Sequence, residues 1–317
     1  MKFEVENLSS GQADCFFIHM ENDRKDTCTI LVDGNRQGQI KAMSTIVAKI
    51  ARLEKLDYIV VTHVDNDHLG GILSLFQIYN TTSVIRNQLK DTIIIYNFVS
   101  YGEISYKQAE IFDGLLHDRK VIKSFSNQYE NRASMLKLLP LPVGKILYSS
   151  RRNENNAYLI FLGPDRAGAN EVACDYQRCK LTGASSDEVI VNKNSITFLL
   201  EFAGKRVLFL GDAYLADVDE TLDLIERPGK PLEISLIKVP HHGAKDNNTQ
   251  IGEFAQKHQC GKFIITAGAA WDKKHPAAEI VEQLYRIKAD IYTEVDLSMI
   301  DSNYKYIHKT DRRISIL

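Results

Sequence analysis

Several features that mark common protein classes are missing from this sequence of 317 residues. It has no uninterrupted apolar run of about 20 residues, which is the length that a helix needs to cross a bilayer. Residues 1–6 alternate between polar and apolar side chains, and they lack the apolar core of a signal peptide. These absences argue against a membrane-spanning or a secreted protein.

Cysteine is scarce and irregularly spaced. The chain has five cysteines, an odd number. Cys174 and Cys179 have no matching second pair with which they would form a zinc ribbon. Free thiols in a reducing compartment are therefore the default interpretation, and we expect a cytoplasmic protein.

The sequence also lacks a strong net charge and two familiar catalytic loops. Its formal charge is -2, which argues against capture of nucleic acid over the whole surface but leaves a local basic face open. The chain contains neither a Gly-x-Ser-x-Gly nucleophile elbow nor a phosphate-binding loop ending in Gly-Lys-Ser/Thr. Enzymes that depend on either loop are thereby excluded.

What the sequence does contain is a cluster of metal-competent side chains after an apolar run. Residues 58–62 are rich in β-forming residues and predict a buried strand. Four such side chains follow within six positions, namely His63, Asp65, Asp67 and His68. A strand end and a helix start would aim them to two sides, which favours two adjacent metal ions over one. A polar turn with an Asp cap on the next helix is the alternative.

Two later strands are followed by groups of the same kind. Asp212 comes directly after an apolar strand and a glycine, so that its carboxylate would stand at a sheet edge. A cap for the helix predicted over residues 213–225 is the alternative role. The strand 236–239 leads into His241 and His242, for which one structural and one surface histidine is the alternative.

These motifs, taken in order, resemble those of the metallo-β-lactamase-fold hydrolases. The stretch 63–68 resembles their signature His-x-His-x-Asp-His, with Asp65 in place of the middle histidine. Residues 238–243, Lys-Val-Pro-His-His-Gly, are very similar to a run in the soluble hydrolase domain of ComEC-type competence (DNA-uptake) proteins. Residues 11–14 and 31–34 also resemble segments that open this domain, although ordinary hairpin turns are the alternative.

The resemblance implies two divalent metal ions, Zn²⁺ or Mn²⁺, with Asp212 bridging them. The predicted ligands are His63, Asp65 and Asp212 for the first ion, and Asp67, His68, Asp212 and His242 for the second. The first set is incomplete, because the chain has no histidine between His117 and His241, where the wider superfamily often has its remaining ligand. A carboxylate is a harder ligand than an imidazole, so its presence at this position favours Mn²⁺ or a mixed site over a strict Zn²⁺ site.

Four residues are candidates for catalysis beyond simple metal binding. Asp67 is one of them, and His241 is a second as a group that contacts the substrate or supports the ligands. His275 lies in a segment that resembles the family's terminal His-Pro element. Asn194 lies where ComEC-type domains have Asn and Ser. Surface histidines and a turn amide are the alternative roles.

The order of predicted elements indicates an α/β fold. Two sequential halves, each with strands followed by strand–helix units, suit two stacked mixed sheets with helices on the outer faces, an αββα four-layer sandwich. We predict one metallo-β-lactamase-like domain over residues 1–317, with a possible variable, substrate-facing segment at 87–135. Residues 83–86 are predicted as a short strand and residues 166–186 as a loop or surface excursion.

The chemistry implied by the resemblance is hydrolysis. Paired divalent ions hold the attacking and the leaving oxygen and lower the pKa of bound water, which provides hydroxide at neutral pH. We therefore expect a metal-dependent hydrolase, specifically a phosphodiesterase or nuclease whose substrate is nucleic acid or another phosphodiester. The alternatives are a small-molecule or lipid-headgroup ester hydrolase, and a metal-stabilised non-catalytic module of a larger assembly, because a fold alone does not decide the reaction.

Overall fold

Two mixed β-sheets form the centre of the protein in a computed structural model of the chain. The structure describes residues 1–97, 107–122, 134–140, 144–147, 152–226, 230–269, 271 and 274–317. The first sheet has the strand order β16-β1-β2-β3-β4-β5-β6, and the second has the order β15-β14-β13-β12-β11-β10-β9-β7-β8. The strands of the first sheet are β1 (Lys2–Asn7), β2 (Phe16–Glu21), β3 (Thr27–Val32), β4 (Tyr58–Val60), β5 (Ile93–Ile95), β6 (Val121–Ile122) and β16 (Arg313–Ser315). Those of the second are β7 (Ser134–Lys137), β8 (Gly144–Leu147), β9 (Ala157–Gly163), β10 (Thr197–Phe202), β11 (Lys205–Phe209), β12 (Leu236–Lys238), β13 (Lys262–Ile264), β14 (Asp290–Tyr292) and β15 (His308–Lys309).

The two sheets pack face to face through interlocking aromatic side chains. Phe16 of the first sheet meets Phe209 of the second with ring centroids 5.4 Å apart, and Phe3 meets Phe202 at 6.0 Å. Side chains alternate along β10, so that Phe198 joins this central core whereas its neighbours in the strand face the opposite side. The sheets therefore share one apolar core.

Helices cover the outer face of each sheet and complete four layers. Their bounds are α1 (Ile40–Ile50), α2 (Asn66–Thr81), α3 (Ser83–Leu89), α4 (Lys107–Leu115), α5 (Arg166–Thr182), α6 (Glu188–Lys193), α7 (Leu215–Ile225), α8 (Ile251–Lys257) and α9 (Ala278–Arg286). Apolar residues of α1 to α4 form a second core with the first sheet, and those of α7 to α9 form a third with the second sheet. The predicted α/β sandwich is confirmed.

The strand directions bring the predicted site residues to one edge. β3, β4 and β5 run parallel to one another, as do β11, β12 and β13. The carboxyl ends of parallel strands meet at the same edge of a sheet, where open α/β folds place their ligands. Asp33, His63, Asp212, His241 and Thr266 each lie within four residues of such a strand end.

Two local predictions were wrong. Residues 83–86 belong to helix α3 and not to a strand, since Ile85 and Leu89, one helical turn apart, are both buried. Most of residues 166–186 form helix α5, which begins at the N-cap Asp165 and ends at Gly183 in the left-handed conformation. Its buried residues include Ala169, Tyr176 and Cys179, an apolar stripe that the surrounding polar residues concealed.

Only part of the predicted variable segment 87–135 lies within the described residues. Within it, β5, α4 and β6 extend the first sheet and its outer helical layer. Residues 98–106 and 123–133 lie outside the described residues. A substrate-facing role for this segment stays a prediction. In the part of the chain that the structure describes, no helix combines the length and the apolar character needed to cross a membrane.

Candidate metal centre

The predicted ligand-bearing turn joins a strand end to a helix start. β4 ends shortly before His63, and Asp65 is the N-cap residue of α2 in an extended conformation. Asp67 and His68 lie in the first turn of that helix. The turn and the helix therefore present their side chains from two directions, as the sequence predicts.

Gly71 allows this helix to approach the neighbouring strand end closely. A Cβ atom at Gly71 would lie 1.7 Å from the carbonyl oxygen of Gly34, which no real side chain permits. The amide nitrogen of Gly34 donates to the carbonyl oxygen of His68 at 2.8 Å. The first turn of α2 thus packs directly on the turn that carries Asp33.

Two buried imidazole rings, those of His63 and His68, face the carboxylate of Asp212, and the buried ring of His242 lies next to that of His68. The ring centroids of His63 and His68 are 4.0 Å apart, and those of His68 and His242 are 6.2 Å apart. Asp212 follows β11 through Gly211, whose φ of 51° turns the chain sharply at the sheet edge. The structure therefore brings together ligands that are far apart in the sequence.

Each of these rings is held at Nδ1 by a neighbouring side chain. The contacts are His63 Nδ1 to Ser195 Oγ at 3.2 Å, His68 Nδ1 to Asp33 Oδ2 at 2.8 Å, and His242 Nδ1 to Thr266 Oγ1 at 3.1 Å. Partners of this kind fix the orientation and the tautomer of metal-binding histidines. The free nitrogen of each ring is consequently Nε2.

The opposite nitrogens point into the centre without partners. Nε2 of His63, His68 and His242, together with Oδ1 of Asp212, is buried and accepts or donates no hydrogen bond among the described residues. Buried polar atoms are almost always paired, so several unpaired ones in one place need an explanation. A bound cation satisfies all four atoms.

The distances between these atoms suit shared divalent ions. His68 Nε2 lies 3.5 Å from Asp212 Oδ1, and His242 Nε2 lies 3.5 Å from Asp67 Oδ2. His63 Nε2 lies 3.9 Å from Asp212 Oδ2 and 3.7 Å from Asp65 Oδ2. Two ligands bound tetrahedrally at about 2.0–2.2 Å stand about 3.3–3.6 Å apart. The two distances of 3.5 Å fall in this range and those of 3.7 and 3.9 Å lie slightly above it, and the six residues stay predicted ligands.

Three overlapping groups of possible ligands occur in and beside this centre. They are His63, His68 and Asp212, then Asp67, His68 and His242, and finally Asp14, Asp33 and His68, with all ligand atoms of a group within 4.8 Å of one another. The second group falls entirely within the ligand set predicted for the second ion. Since the two oxygens of Asp212 face different imidazoles, Asp212 is positioned to bridge.

Asp14 and Lys238 form a buried ion pair beside the ligands that sequence analysis did not identify as part of the site. The Nζ atom of Lys238 contacts the carboxylate of Asp14, and it lies 3.5 Å from Asp212 Oδ1. Asp14 also accepts a hydrogen bond of 2.6 Å from Thr266, the residue that holds His242. Burial opposes the charge on Lys238, but Asp14 and Asp212 keep the pKa of its ammonium group raised. Lys238 thus remains a fixed positive charge.

Negative charge predominates in the centre. The carboxylates of Asp14, Asp33 and Asp212 are buried and those of Asp65 and Asp67 are partly exposed, whereas the cations beside them are the buried Lys238 and the more exposed Arg36. Bound divalent cations would offset this excess of carboxylates. An uncompensated excess of buried carboxylates would be costly, since ionised groups are rarely buried unpaired.

The pKa shifts of the histidines reflect the same negative potential. Burial opposes protonation of His68, yet Asp212, Asp33 and Asp14 raise the pKa of this imidazole well above its usual value. Burial and the charge of His68 lower the pKa of His63 to about 4. The surroundings of His68 therefore strongly favour a positive charge, which a metal ion would supply.

His241 and His275 lie on the open side of the centre. His241 Nε2 is 3.9 Å from Asp212 Oδ2, and its side chain is about a quarter exposed. The rings of His241 and His275 stack with centroids 5.6 Å apart. Both His241 and His242 have positive φ values, a strained conformation that directs two successive rings to one centre.

Asn194 lines a small cavity together with His63, but the hydrogen bonds of its amide go to other residues. Its amide donates to Glu171 Oε2 at 3.1 Å and to the carbonyl oxygen of Ile190 at 2.9 Å, at the end of α6. The adjacent Ser195 contacts the centre instead, since its hydroxyl lies 3.2 Å from both His63 Nδ1 and the amide nitrogen of Asp212. Ser195 is therefore the residue of this pair that supports a ligand.

A cavity of about 710 Å³ adjoins the centre but contains none of the six predicted ligands. It reaches Ser195 and then extends between α5 and α7. Its charged lining comprises Asp165, Glu171, Asp217, Glu220, Arg166 and Lys193, so acidic side chains outnumber basic ones two to one. Such a lining does not suit the phosphates of a nucleic acid.

Comparisons with known proteins agree on the fold. The family model of the metallo-β-lactamase superfamily matches residues 10–94, which include the turn from His63 to His68. A comparison with the curated proteins finds no match. The match and the observed architecture together show a metallo-β-lactamase fold.

Two solved structures share this architecture at low sequence identity. The metallo-β-lactamase fold protein YhfI from Bacillus subtilis is 11% identical, with a TM-score of 0.53 over 92% of this chain and 96% of YhfI. CmlA, a diiron β-hydroxylase from Streptomyces venezuelae, is 13% identical, with a TM-score of 0.50 over 99% of this chain. The chain spans 54% of CmlA. At such identities the likeness concerns the fold alone.

Proposed function

We propose that this protein is a metal-dependent hydrolase that cleaves phosphodiesters at a dinuclear centre. The observation that carries the proposal is the set of four unpaired buried atoms, the three Nε2 atoms and Asp212 Oδ1. We assign His63, Asp65 and Asp212 to the first ion, and Asp67, His68, Asp212 and His242 to the second. When bound, the two ions would supply Lewis acidity and an activated water at neutral pH.

His241 is proposed to handle a proton at the reacting centre. Asn247 donates through Nδ2 to the carbonyl oxygen of Asp212 at 2.8 Å, so its Oδ1 is the atom that accepts from His241 Nδ1 at 3.1 Å. The neutral imidazole of His241 then has its lone pair at Nε2, facing Asp212 Oδ2. In this state His241 accepts a proton at Nε2, as a general base does.

His275 is proposed to donate to the substrate on the same side. Its ring stacks on His241 and lies 6.3 Å from the ring of His242, both measured between centroids. From there it is placed to protonate a leaving alkoxide or to stabilise a non-bridging oxygen. The predicted donor role of Asn194 would require its amide to leave Glu171 and Ile190.

Two classes of substrate are candidates for this centre. Nucleic acid follows from the ComEC-type resemblance of residues 238–243. A small ester with an apolar substituent is the second candidate, and a groove of apolar side chains next to Arg36 favours it. Both candidates carry an anionic phosphodiester, which suits a centre that would hold divalent ions and that Arg36 borders.

The direct test is hydrolysis by protein loaded with Mn²⁺ or Zn²⁺. The substrates are bis(p-nitrophenyl) phosphate, single- and double-stranded DNA and RNA, and a p-nitrophenyl carboxylate ester. We expect cleavage of the phosphodiester that requires metal and disappears with Asp212→Asn. Hydrolysis of the carboxylate ester alone would overturn the phosphodiesterase assignment, and no hydrolysis of any substrate would support the non-catalytic module.

A further inference from the structure

An apolar groove lies between α1 and α2 beside the metal centre. It has a volume of about 320 Å³, and its walls include Ile40, Met43, Val47 and Ile78. Ile40, the first residue of α1, is 80% exposed, whereas the other three are not fully buried. Ile40 therefore adds an exposed apolar side chain to a wall of partly buried ones.

The two hydroxyl groups that line this groove are already paired. Ser44 Oγ donates to the carbonyl oxygen of Ile40 at 2.8 Å, and Ser74 Oγ donates to that of Gly70 at 3.3 Å. Both serines therefore satisfy their hydrogen bonds on their own helices. The lining of the groove combines apolar side chains with one charged group.

That charged group is Arg36, which also contacts the metal centre. Its Nη2 atom donates to Asp67 Oδ2 at 3.2 Å, and both Nε and Nη2 donate to the carbonyl oxygen of Gln12. These contacts fix the guanidinium group, although the side chain remains 46% exposed. Arg36 thus links the groove to a predicted metal ligand through one side chain.

We propose that the α1–α2 groove binds the apolar substituent of an amphiphilic phosphodiester whose phosphate lies at the metal centre. This inference rests on the proposed function for the identity of the reacting group. Arg36 contacts a phosphate oxygen, because guanidinium groups pair well with phosphate. A group the size of a water molecule takes up about 30 Å³, so a groove of about 320 Å³ has room for a chain of about ten carbon atoms.

The groove favours such a substrate over a nucleic acid. A polynucleotide presents one phosphate per nucleotide and needs several cations along its path. The lining of the groove contains one cation, Arg36, among apolar and small polar side chains. An alkyl or acyl chain attached to a single phosphate matches this distribution of charge.

The test is a series of p-nitrophenyl alkyl phosphodiesters with methyl, butyl and octyl chains. Each methylene that becomes buried improves binding by up to about fourfold. We therefore expect kcat/KM to rise at least tenfold from the methyl to the octyl ester. Binding of n-octyl phosphate to the metal-loaded protein, measured by calorimetry, provides a readout that does not depend on turnover.

Variants in the groove test its assignment. Ile40→Asp and Met43→Gln should abolish the preference for the octyl ester over the methyl ester. Ile40→Asp is compatible with folding, because this exposed position opens a helix, where an acidic side chain is favourable. Val189→Asp, an exposed apolar residue in the first turn of α6, is the matched control and should behave like the parent.

The outcomes separate this inference from the proposed function. Cleavage of all three esters at the same kcat/KM, or a chain preference that survives both groove variants, would overturn the groove assignment and leave the phosphodiesterase in place. If no ester is cleaved, the proposed function fails, and octyl phosphate binding that Ile40→Asp removes still supports the groove. Dissociation of a dimer by Ile40→Asp, without an effect on octyl phosphate, would assign the groove to a second copy of the chain.

Discussion

Asp33 offers a sharp test of how the metal centre is organised. It accepts hydrogen bonds of 2.8 Å from His68 Nδ1 and from both the amide nitrogen and the hydroxyl of Thr62. Its φ of 55° lies in the left-handed region, which Asn tolerates as well as Asp. Asp33→Asn therefore keeps the size and the backbone but replaces one acceptor oxygen by an NH₂ group that faces another donor.

The expected effect is on metal affinity more than on folding. Loss of a partner that orients a metal-binding histidine typically weakens metal binding about 10- to 100-fold, which corresponds to about 1.4–2.7 kcal/mol. Loss of a charged hydrogen bond also lowers the free energy of unfolding by about 1.5–3 kcal/mol. His68 is assigned to the second ion, so the change should weaken the binding of that ion most.

The assay is a competition titration in which a chromophoric chelator reports free Zn²⁺ or Mn²⁺. Asp57→Asn is the matched control, because Asp57 is also a buried carboxylate and accepts from the amide nitrogen of Thr29 at 2.8 Å. The control should lose stability without losing metal affinity. Equal metal affinity in Asp33→Asn and in the parent would refute the role of Asp33 in orienting His68.

Three further predictions concern the histidines. Neighbouring carboxylates raise the pKa of His68 above its usual value, so we expect this imidazole to carry an extra proton when no metal is bound. Metal binding should release that proton, and the metal affinity should fall as the pH is lowered. Calorimetry in two buffers with different heats of ionisation measures this release, and its absence at pH 7 would contradict the prediction. His242→Ala should lower metal content while His241→Ala mainly lowers turnover, and the reverse result from metal analysis would exchange their roles. His275→Ala should retain both metals yet lower kcat about 10- to 1,000-fold, and unchanged kinetics would remove His275 from the site.

Short motifs that follow strand ends were sufficient to predict candidate ligands, whose role in metal binding stays a prediction. His63 to His68 lie within one turn, and His241 and His242 follow β12 directly. The spacing of metal-competent residues within each motif therefore predicted the candidate ligands, and the parallel strands bring these motifs to one edge of the fold. The sandwich fold followed from the same alternation of strands and helices.

The groups that hold the ligands could not be predicted in the same way. Asp14 and Thr266 form a hydrogen bond across 252 positions of the sequence, and Asp33 contacts His68 across 35. Asp14, Asp33 and Lys238 lie in segments that resemble family motifs, but the motifs do not say which side chains hold a ligand. Asp14 meets Thr266 only when the two sheets stack, and Asp33 meets His68 only when α2 packs on the end of β3. The role of Lys238 arises because burial places it beside Asp14.

Helix α5 and the last strand show two further limits of local patterns. The stripe that α5 buries is narrow and is surrounded by polar residues, so its helical period was weak. β16 pairs with β1, which joins residues near the two ends of the chain at the edge of the first sheet. Pairing between such distant segments depends on the fold around them and not on their own composition.

The central claim is that Asp212 bridges two divalent ions, and metal content tests it most directly. Elemental analysis by mass spectrometry of protein loaded with Mn²⁺ or Zn²⁺ should find two ions per chain in the parent. Under the same conditions Asp212→Ala should lose affinity for both ions, since Oδ1 and Oδ2 of Asp212 face different imidazoles. A single ion whose binding is unaffected by Asp212→Ala would contradict the dinuclear centre.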